Sequence, residues 1–482
     1  MSFLQQKQWK HFVNGDWVDP LSGEYLDETD PRSGQASFSI ARGGAQDVDK
    51  AVRAARDAWG AWRALKPIQR GRVLHDISNK IRQHKAELAK IDQIETGRNL
   101  QNASADIETA ALYFEFYAGL VNIDHGSVIN LGDGYHSYTR KEPFGVVGII
   151  LPWNAPLNQA GRGIAPALAT GNVVIAKPSE YTSVTLLALA RIAVDECGLP
   201  PGVLNVVTGL GHEVGSAIVQ NPEVRKISFT GSVKTGQIIG MAAAQRIIPT
   251  GLELGGKSPN IVFADADLEQ AVKGSVKAFV FNAGQVCSSG SRCLVERSIH
   301  DKFVQRVKEY IATLKVGSDP GSAIGPIITR AQFEKVNLYK DKIRGDGIEF
   351  FEGGVLSPDA SLDGGLYVKP MILTGVDNHM SVAREEIFGP VLSIIPFDTE
   401  DMAIEIANDS DYGLVAGIWT QNLSRAHRVS AQLEAGQVFV NEYYAGGVET
   451  PFGGYKMSGH GREKGIEALA HYTQTKCVTV KL

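Results

Sequence analysis

Apolar residues along this 482-residue chain fall into two series in which helical and strand-like spacing alternate. The first series opens with helices. Residues 45–62, 68–95 and 104–117 place apolar side chains at three- and four-residue intervals, the spacing of one buried helical face. Short apolar runs at 145–151, 172–177, 203–207 and 226–230 then read as strands. Between them, 157–169, 184–197 and 212–219 return to helical spacing. Strands separated by helical crossovers imply a parallel sheet covered on both faces. The second series runs from 268 to 440, with strands at 293–296, 391–395, 413–420 and 437–440. No tandem repeat or low-complexity linker intervenes, so tight packing of the domains is expected.

Two segments fit neither series. Residues 127–141 alternate around Gly132-Asp133-Gly134, which reads as a hairpin. Residues 475–482 read as one more strand. The hairpin either folds on its own domain or meets another subunit. An unpaired strand edge is a liability, so a homo-oligomer, dimer or tetramer, is expected.

Composition narrows the class. A chain of 482 residues is too long for one core and implies two or three domains. Its 43% hydrophobic and 21% charged content is that of a soluble globular protein. A net charge of −5 and a pI near 6.2 give no reason to expect a nucleic-acid partner. Cys197, Cys287, Cys293 and Cys477 show no CxxC spacing, which argues against a disulfide framework or a metal site and for a reducing compartment. Residues 1–10 are polar and no apolar run is long enough to cross a bilayer. The expectation is a soluble, cytoplasmic protein without a membrane partner.

Two runs carry candidate chemistry. Cys287 lies in Phe281-Asn282-Ala283-Gly284-Gln285-Val286-Cys287-Ser288-Ser289-Gly290-Ser291-Arg292. Small neighbours would leave its sulfur reachable, and a reactive cysteine needs surroundings that lower its pKa. The alternative is a buried cysteine acting as a small hydrophobe. Glu253 lies in Gly251-Leu252-Glu253-Leu254-Gly255-Gly256-Lys257. An apolar setting would raise its pKa, which suits a general base. The alternative is a surface glutamate at a strand end.

With both runs in view, the chain resembles the aldehyde dehydrogenase superfamily over essentially its whole length. The resemblance extends through Leu151-Pro152-Trp153-Asn154, Lys177-Pro178-Ser179-Glu180, Phe229-Thr230-Gly231-Ser232, Glu385-Glu386-Ile387-Phe388-Gly389-Pro390 and Pro451-Phe452-Gly453-Gly454-Tyr455-Lys456. It implies an α/β protein with a Rossmann-like cofactor-binding domain at 1–122 and 144–254 and an α/β catalytic domain at 255–456. A β-hairpin oligomerisation arm at 123–143, with the tail 457–482, would extend a neighbouring subunit's sheet. It implies NAD as cofactor. Gly209-Leu210-Gly211-His212-Glu213-Val214-Gly215 is close to a dinucleotide fingerprint, with one residue too many before Gly215. Gly231-Ser232-Val233-Lys234-Thr235-Gly236 is not a P-loop, because Gln237 stands in the lysine's place. Either run is also compatible with an ordinary strand-to-helix turn. The resemblance assigns the pyrophosphate to Gly231 and Ser232, the adenosine ribose to Lys177 and Glu180, and the nicotinamide ribose to Glu386 with Phe388 beside the ring. Trp153, Ser179, Phe229 and Leu254 are grouped with them. A carboxylate at Glu180 would repel a 2′-phosphate, which favours NAD over NADP.

The implied chemistry is attack of Cys287 on an aldehyde, with the Asn154 amide and the Cys287 backbone N–H holding the oxyanion. Hydride loss leaves a thioester, which Glu253 hydrolyses through water. Asn154 can also be read as a plain turn residue. Coenzyme-A-acylating relatives typically lack this glutamate, so its presence points to the hydrolytic branch. The substrate wall departs from the family's apolar tunnels, where Ala155, Gln159 and Arg162 replace frequent Phe, Met and Trp. Positions 155, 158, 159 and 162 share one helix face, so Asn158, Gln159 and Arg162 are expected in the tunnel with Tyr444 and Phe452. Arg162 suits a carboxylate-bearing, semialdehyde-like substrate; alternatively it pairs with Glu442 or Glu449. Tyr443 and Tyr444 leave room for an aromatic one. A catalytically silent relative is disfavoured by the joint presence of Cys287, Glu253 and Asn154. A nucleotide hydrolase is disfavoured by the missing P-loop lysine.

Overall fold

Sheet order and chain order differ in a way that opens a crevice. The structure, a computed structural model, describes residues 3–123, 125–358, 360 and 364–482. Its eight-stranded sheet runs Gly459–His460, Thr250–Glu253, Val224–Thr230, Val146–Ile150, Val173–Lys177, Leu204–Val206, His11–Val13, Asp16–Val18. The strands from Thr250–Glu253 through Leu204–Val206 are parallel. Val146–Ile150 and Val173–Lys177 are buried along their whole length, as strands covered on both faces are. The chain lays down Val146–Ile150, moves outwards on one side, then restarts at Val224–Thr230 on the other. Such a reversal leaves a ligand crevice at the carboxyl ends of the two flanking strands. Here those ends are Ile150 and Thr230.

A seven-stranded sheet follows in the order Glu349–Glu352, Met371–Thr374, Val391–Phe397, Arg292–Glu296, Pro259–Val262, Val415–Trp419, Gln437–Val440. Its pairings are parallel except at the Glu349–Glu352 edge. Each sheet has its own core. Trp9, Trp62, Phe114 and Tyr117 anchor the first, and Phe263, Phe279, Phe303 and Phe397 the second. The α/β architecture with parallel sheets is thus as the sequence implies.

Several elements differ from the sequence reading. The stretch 68–95 divides into helices Pro67–Gln83 and Lys85–Thr96. His84 between them has ψ of 6°, outside the helical range, yet the turn is slight enough for the apolar spacing to run on. The next helix is longer than expected, Leu100–Leu120, because Asn99 caps it by accepting from the Asn102 N–H. Residues 212–219 are not one helix. A π-turn at Gly211–Gly215 leads into a short helix at Ser216–Gln220. The central strand Pro259–Val262 escaped notice because it has four residues and opens on proline, which a strand accepts at its first position.

The hairpin pairs Val128–Ile129 with Tyr135–Pro143, and Thr473–Lys481 adds along the latter with Lys481 opposite Tyr135. Residues 457–472, expected with the tail, lie elsewhere. Gly459–His460 edge the first sheet, and Ala468, Leu469 and Tyr472 enter its core. Among the described residues, no helix is long and apolar enough to cross a membrane.

Candidate active site

Cys287 stands where two cavities meet. A strained turn presents it. Asn282, Ala283 and Gly284 have φ of 51°, 55° and 75°, a left-handed turn that disfavours side chains. Side-chain bonds hold it there. The Asn282 amide donates to the Asn154 carbonyl at 2.9 Å, and the Gln285 amide donates to the Asn282 and Pro326 carbonyls. Gly284 is required, since a Cβ there would meet the Gly389 backbone at 2.3 Å. Asn154 follows the strand Val146–Ile150, just before the helix Pro156–Ala169. Its side-chain amide donates one N–H to the Gln285 carbonyl at 2.9 Å, and its own carbonyl accepts from Arg98 at 2.5 Å. The second amide hydrogen remains to be directed at an oxyanion. The Cys287 backbone N–H makes no hydrogen bond among the described residues.

The electrostatics of the thiol run against the sequence expectation. Burial pushes Cys287 up to about 12, with Arg162 and the Ser288 N–H pulling down and Glu253 and Glu386 pushing up. The sulfur therefore keeps its proton at neutral pH until a base takes it. Glu253 is the carboxylate that lines the same cavity as the sulfur. It ends the strand Thr250–Glu253, is buried, and neither carboxylate oxygen has a hydrogen-bond partner among the described residues. Burial and the neighbouring Glu463 raise its pKa well above the ordinary range, against Arg162 and Arg462. The turn after it explains how residues 34 positions apart meet. A Cβ at Gly256 would lie 2.5 Å from the Cys287 carbonyl, so only glycine admits this approach.

On one side of Cys287 lies a cavity of about 170 Å³ at the sheet's reversal. Trp153, Gly231, Ser232, Leu254, Glu386 and Phe388 line it, with Glu253. Glycines keep it open. A Cβ at Gly255 would meet the Glu386 carboxylate at 2.3 Å, and one at Gly236 would meet Leu254 at 2.6 Å. The helix Val233–Gln245 points its N-terminus at this edge, capped by Ser232, a setting that favours phosphate. Phe388, at φ of 59°, crosses Trp153 edge-on at 5.4 Å. These residues fit a dinucleotide. Lys177, Ser179, Glu180, Gly211, Gly215 and Phe229 are not part of the cavity wall. Lys177 is buried at its strand's end and donates to Glu180 at 2.8 Å. Gly211 and Gly215 bound the π-turn, and the Phe229 ring covers Gly231. Sequence reasoning missed Gln332 and Lys335. They line the cavity and tether the Glu386–Phe388 segment by donating to its backbone carbonyls at 2.8–2.9 Å. They come from a helix, Arg330–Gly345, that carries no motif.

On the other side is a chamber of about 410 Å³. Ala155, Asn158, Gln159 and Arg162 all line it, as does Phe452. Tyr444 is not part of its wall. That side chain donates to the Ala278 carbonyl at 2.8 Å and packs on Phe281, which does line it. Arg162 is ion-paired, but to Glu463 and not to Glu442 or Glu449. The antiparallel bridge between Phe452 and Glu463 carries that carboxylate inward, and Ser228 donates to its other oxygen at 3.1 Å. Burial is the largest influence on Arg162 and would lower its pKa; Glu463, with Tyr113, Glu253 and Cys287, together outweigh it and leave the pKa raised. Asn158 donates to Asp106, itself paired with Arg98. Arg98, Asp106, Glu463 and Lys464 were not anticipated: Arg98 and Asp106 precede the first motif in the chain, and Glu463 and Lys464 follow the 451–456 motif without belonging to it.

The aldehyde dehydrogenase family matches residues 17–478. The chain is 43% identical over 474 residues to a betaine aldehyde dehydrogenase of Mesorhizobium japonicum, covering 98% of this chain and 97% of that one. An NAD+ complex of an aldehyde dehydrogenase from Bacillus cereus matches with a TM-score of 0.96 at 38% identity, over 100% of this chain and 98% of its own. The indole-3-acetaldehyde dehydrogenase AldA of P. syringae, in complex with NAD+ and IAA, matches with a TM-score of 0.95 at 40% identity, over 98% and 96%. This chain belongs to the aldehyde dehydrogenase family and is an NAD-dependent oxidoreductase.

Proposed function

We propose that the chain oxidises an aldehyde to a carboxylic acid by covalent catalysis at Cys287, with hydrolysis of the acyl group by water. One observation carries the reading. Cys287, Asn154 and Gln159 line both cavities, so a carbonyl on the chamber side stands against the sulfur with the dinucleotide cavity behind it. Glu253 takes the thiol proton that burial holds on sulfur, and the S–C bond forms. The Asn154 amide and Cys287 N–H receive the charge that develops on oxygen. Bound NAD supplies the acceptor for the hydride leaving that carbon. Glu253 releases the thiol proton to solvent and then removes one from water as it adds to the thioester; the C–S bond breaks, Glu253 returns the proton to sulfur, and the acid ionises. The sum is aldehyde, water and NAD+ to carboxylate, NADH and two protons.

NAD is preferred to NADP in this reading. The Glu180 carboxylate, held by Lys177, would stand where a 2′-phosphate brings more negative charge. The substrate is polar, carboxylate-bearing or aromatic. The chain forms a homo-oligomer: among the described residues, the outer edge of Thr473–Lys481 and the Gln437–Val440 edge of the second sheet carry no further strand. NADH absorbance with an aldehyde panel and each cofactor tests the core of this. Higher kcat/KM with NAD and release of free acid are expected. Equal kcat/KM with NADP would overturn the preference, and NADH without acid would overturn hydrolysis.

A further inference from the structure

Three cations line the chamber: Arg98, Arg162 and Lys464. Two of them are ion-paired within the protein. Arg98 holds Asp92, Asp106, the Thr96 hydroxyl and the Asn154 carbonyl. Arg162 holds Glu463 and lies 5.1 Å from the Phe452 ring centre. Lys464 is different. Among the described residues its ammonium has no ion pair and no hydrogen bond, only the Phe452 ring at 5.9 Å. Glu449 acts on it through space but is exposed and not ion-paired to it.

The backbone fixes where this side chain goes. Glu463 and Phe452 exchange two bonds, of 2.7 and 2.8 Å. The Gly465 N–H donates to Val448 at 2.9 Å, and its carbonyl accepts from the Tyr117 hydroxyl at 3.0 Å. Lys464 between them has φ of 60°, uncommon for a lysine. Neighbouring side chains therefore diverge: Glu463 turns to Arg162 and Ser228, Lys464 to the chamber. Burial, with Arg162 nearby, lowers the ammonium to about 8. A half-buried cation in that setting has no ion-paired carboxylate among the described residues, and a ligand anion supplies one.

Resting on the aldehyde-oxidation reading, we infer that Lys464 receives a carboxylate at the far end of the substrate while the carbonyl stands at Cys287. The substrates are then carboxylate-bearing aldehydes. The same wall disfavours a cationic aldehyde. Quaternary ammonium groups are held by open aromatic faces, and Phe452 already has Arg162 and Lys464 beside it.

The test compares matched aldehydes: 4-carboxybenzaldehyde against benzaldehyde, and 4-oxobutanoate against butanal. The readout is the ratio of kcat/KM, charged over neutral, in the unmodified protein and in Lys464→Asn and Lys464→Arg. Asparagine tolerates the left-handed backbone. The unmodified ratio should exceed one. Lys464→Asn should lower it about tenfold or more, the scale of one charge-assisted hydrogen bond, and Lys464→Arg should keep most of it. A ratio near one, or one that Lys464→Asn does not change, overturns the inference. NADH from no aldehyde would instead overturn the oxidation reading. Calorimetric binding of terephthalate against benzoate then decides the Lys464 claim: a preference for terephthalate lost in Lys464→Asn supports it, and no preference overturns it.

Discussion

The two cavities that meet at Cys287 are built in different ways. The dinucleotide side is shaped by backbone. Gly236 and Gly255 stand where a Cβ would collide with Leu254 or Glu386, and the helix after Ser232 turns its N-terminus to the crevice. The substrate side is shaped by side chains from five separate stretches, and its charges are mostly cancelled within the protein. Backbone geometry leaves a local mark on sequence, as runs of glycine at fixed offsets. Convergent side chains leave none. One side is therefore fixed by local sequence, and the other is free to vary with substrate.

Substitutions on each side should fail differently. The largest effect belongs to the shared wall. Cys287→Ala should cut NADH formation by about 10⁴-fold or more, while NAD binding, read by fluorescence titration, persists. Loss of binding as well would mean the loop holds the cavity shut rather than supplying the nucleophile. On the substrate side, Arg162→Ala removes one partner of a buried pair and strands Glu463. A stability loss of about 3–5 kcal/mol in urea unfolding is expected. A change below about 0.5 kcal/mol, the range of an ordinary surface substitution, would mean water reaches Glu463 and the pair is not sealed. On the dinucleotide side, Gly255→Ala pushes on the Glu386 carboxylate. It should weaken NAD binding by about tenfold, one displaced charged hydrogen-bonding group, and leave urea stability little changed. The smallest effect is a pH dependence. Lys464 is charged below about 8 and loses its charge above it. The preference for carboxylate over neutral aldehydes should therefore be flat at lower pH and decline as pH rises past 8. A preference that grows with pH would point to another group.

Much of this was legible in the residues. Val146–Ile150 and Val173–Lys177 announce themselves as short apolar runs, and the glycines around Glu253 and Cys287 mark close backbone approach. The helix-face spacing of 155, 158, 159 and 162 brought four residues to one wall. What sequence hid is what depends on distant segments. Glu463 reaches Arg162 because a two-residue bridge folds the chain back at Phe452. Gln332 and Lys335 act through carbonyls of the 386–388 segment, and backbone acceptors have no residue type. The state of the Cys287 thiol also escaped. Small neighbours suggested an accessible, acidic sulfur; the residue is indeed partly exposed, but desolvation of the thiol raises its pKa.

The central claim is that Cys287 carries the acyl group and Glu253 releases it. The direct measurement is acid-quenched peptide mass spectrometry of Glu253→Gln after mixing with NAD and benzaldehyde. A burst of NADH matching the enzyme concentration should precede slow turnover, and a benzoyl mass should sit on the peptide that contains Cys287. An adduct on a peptide carrying Cys197, Cys293 or Cys477, or full NADH formation with no adduct, would contradict the account.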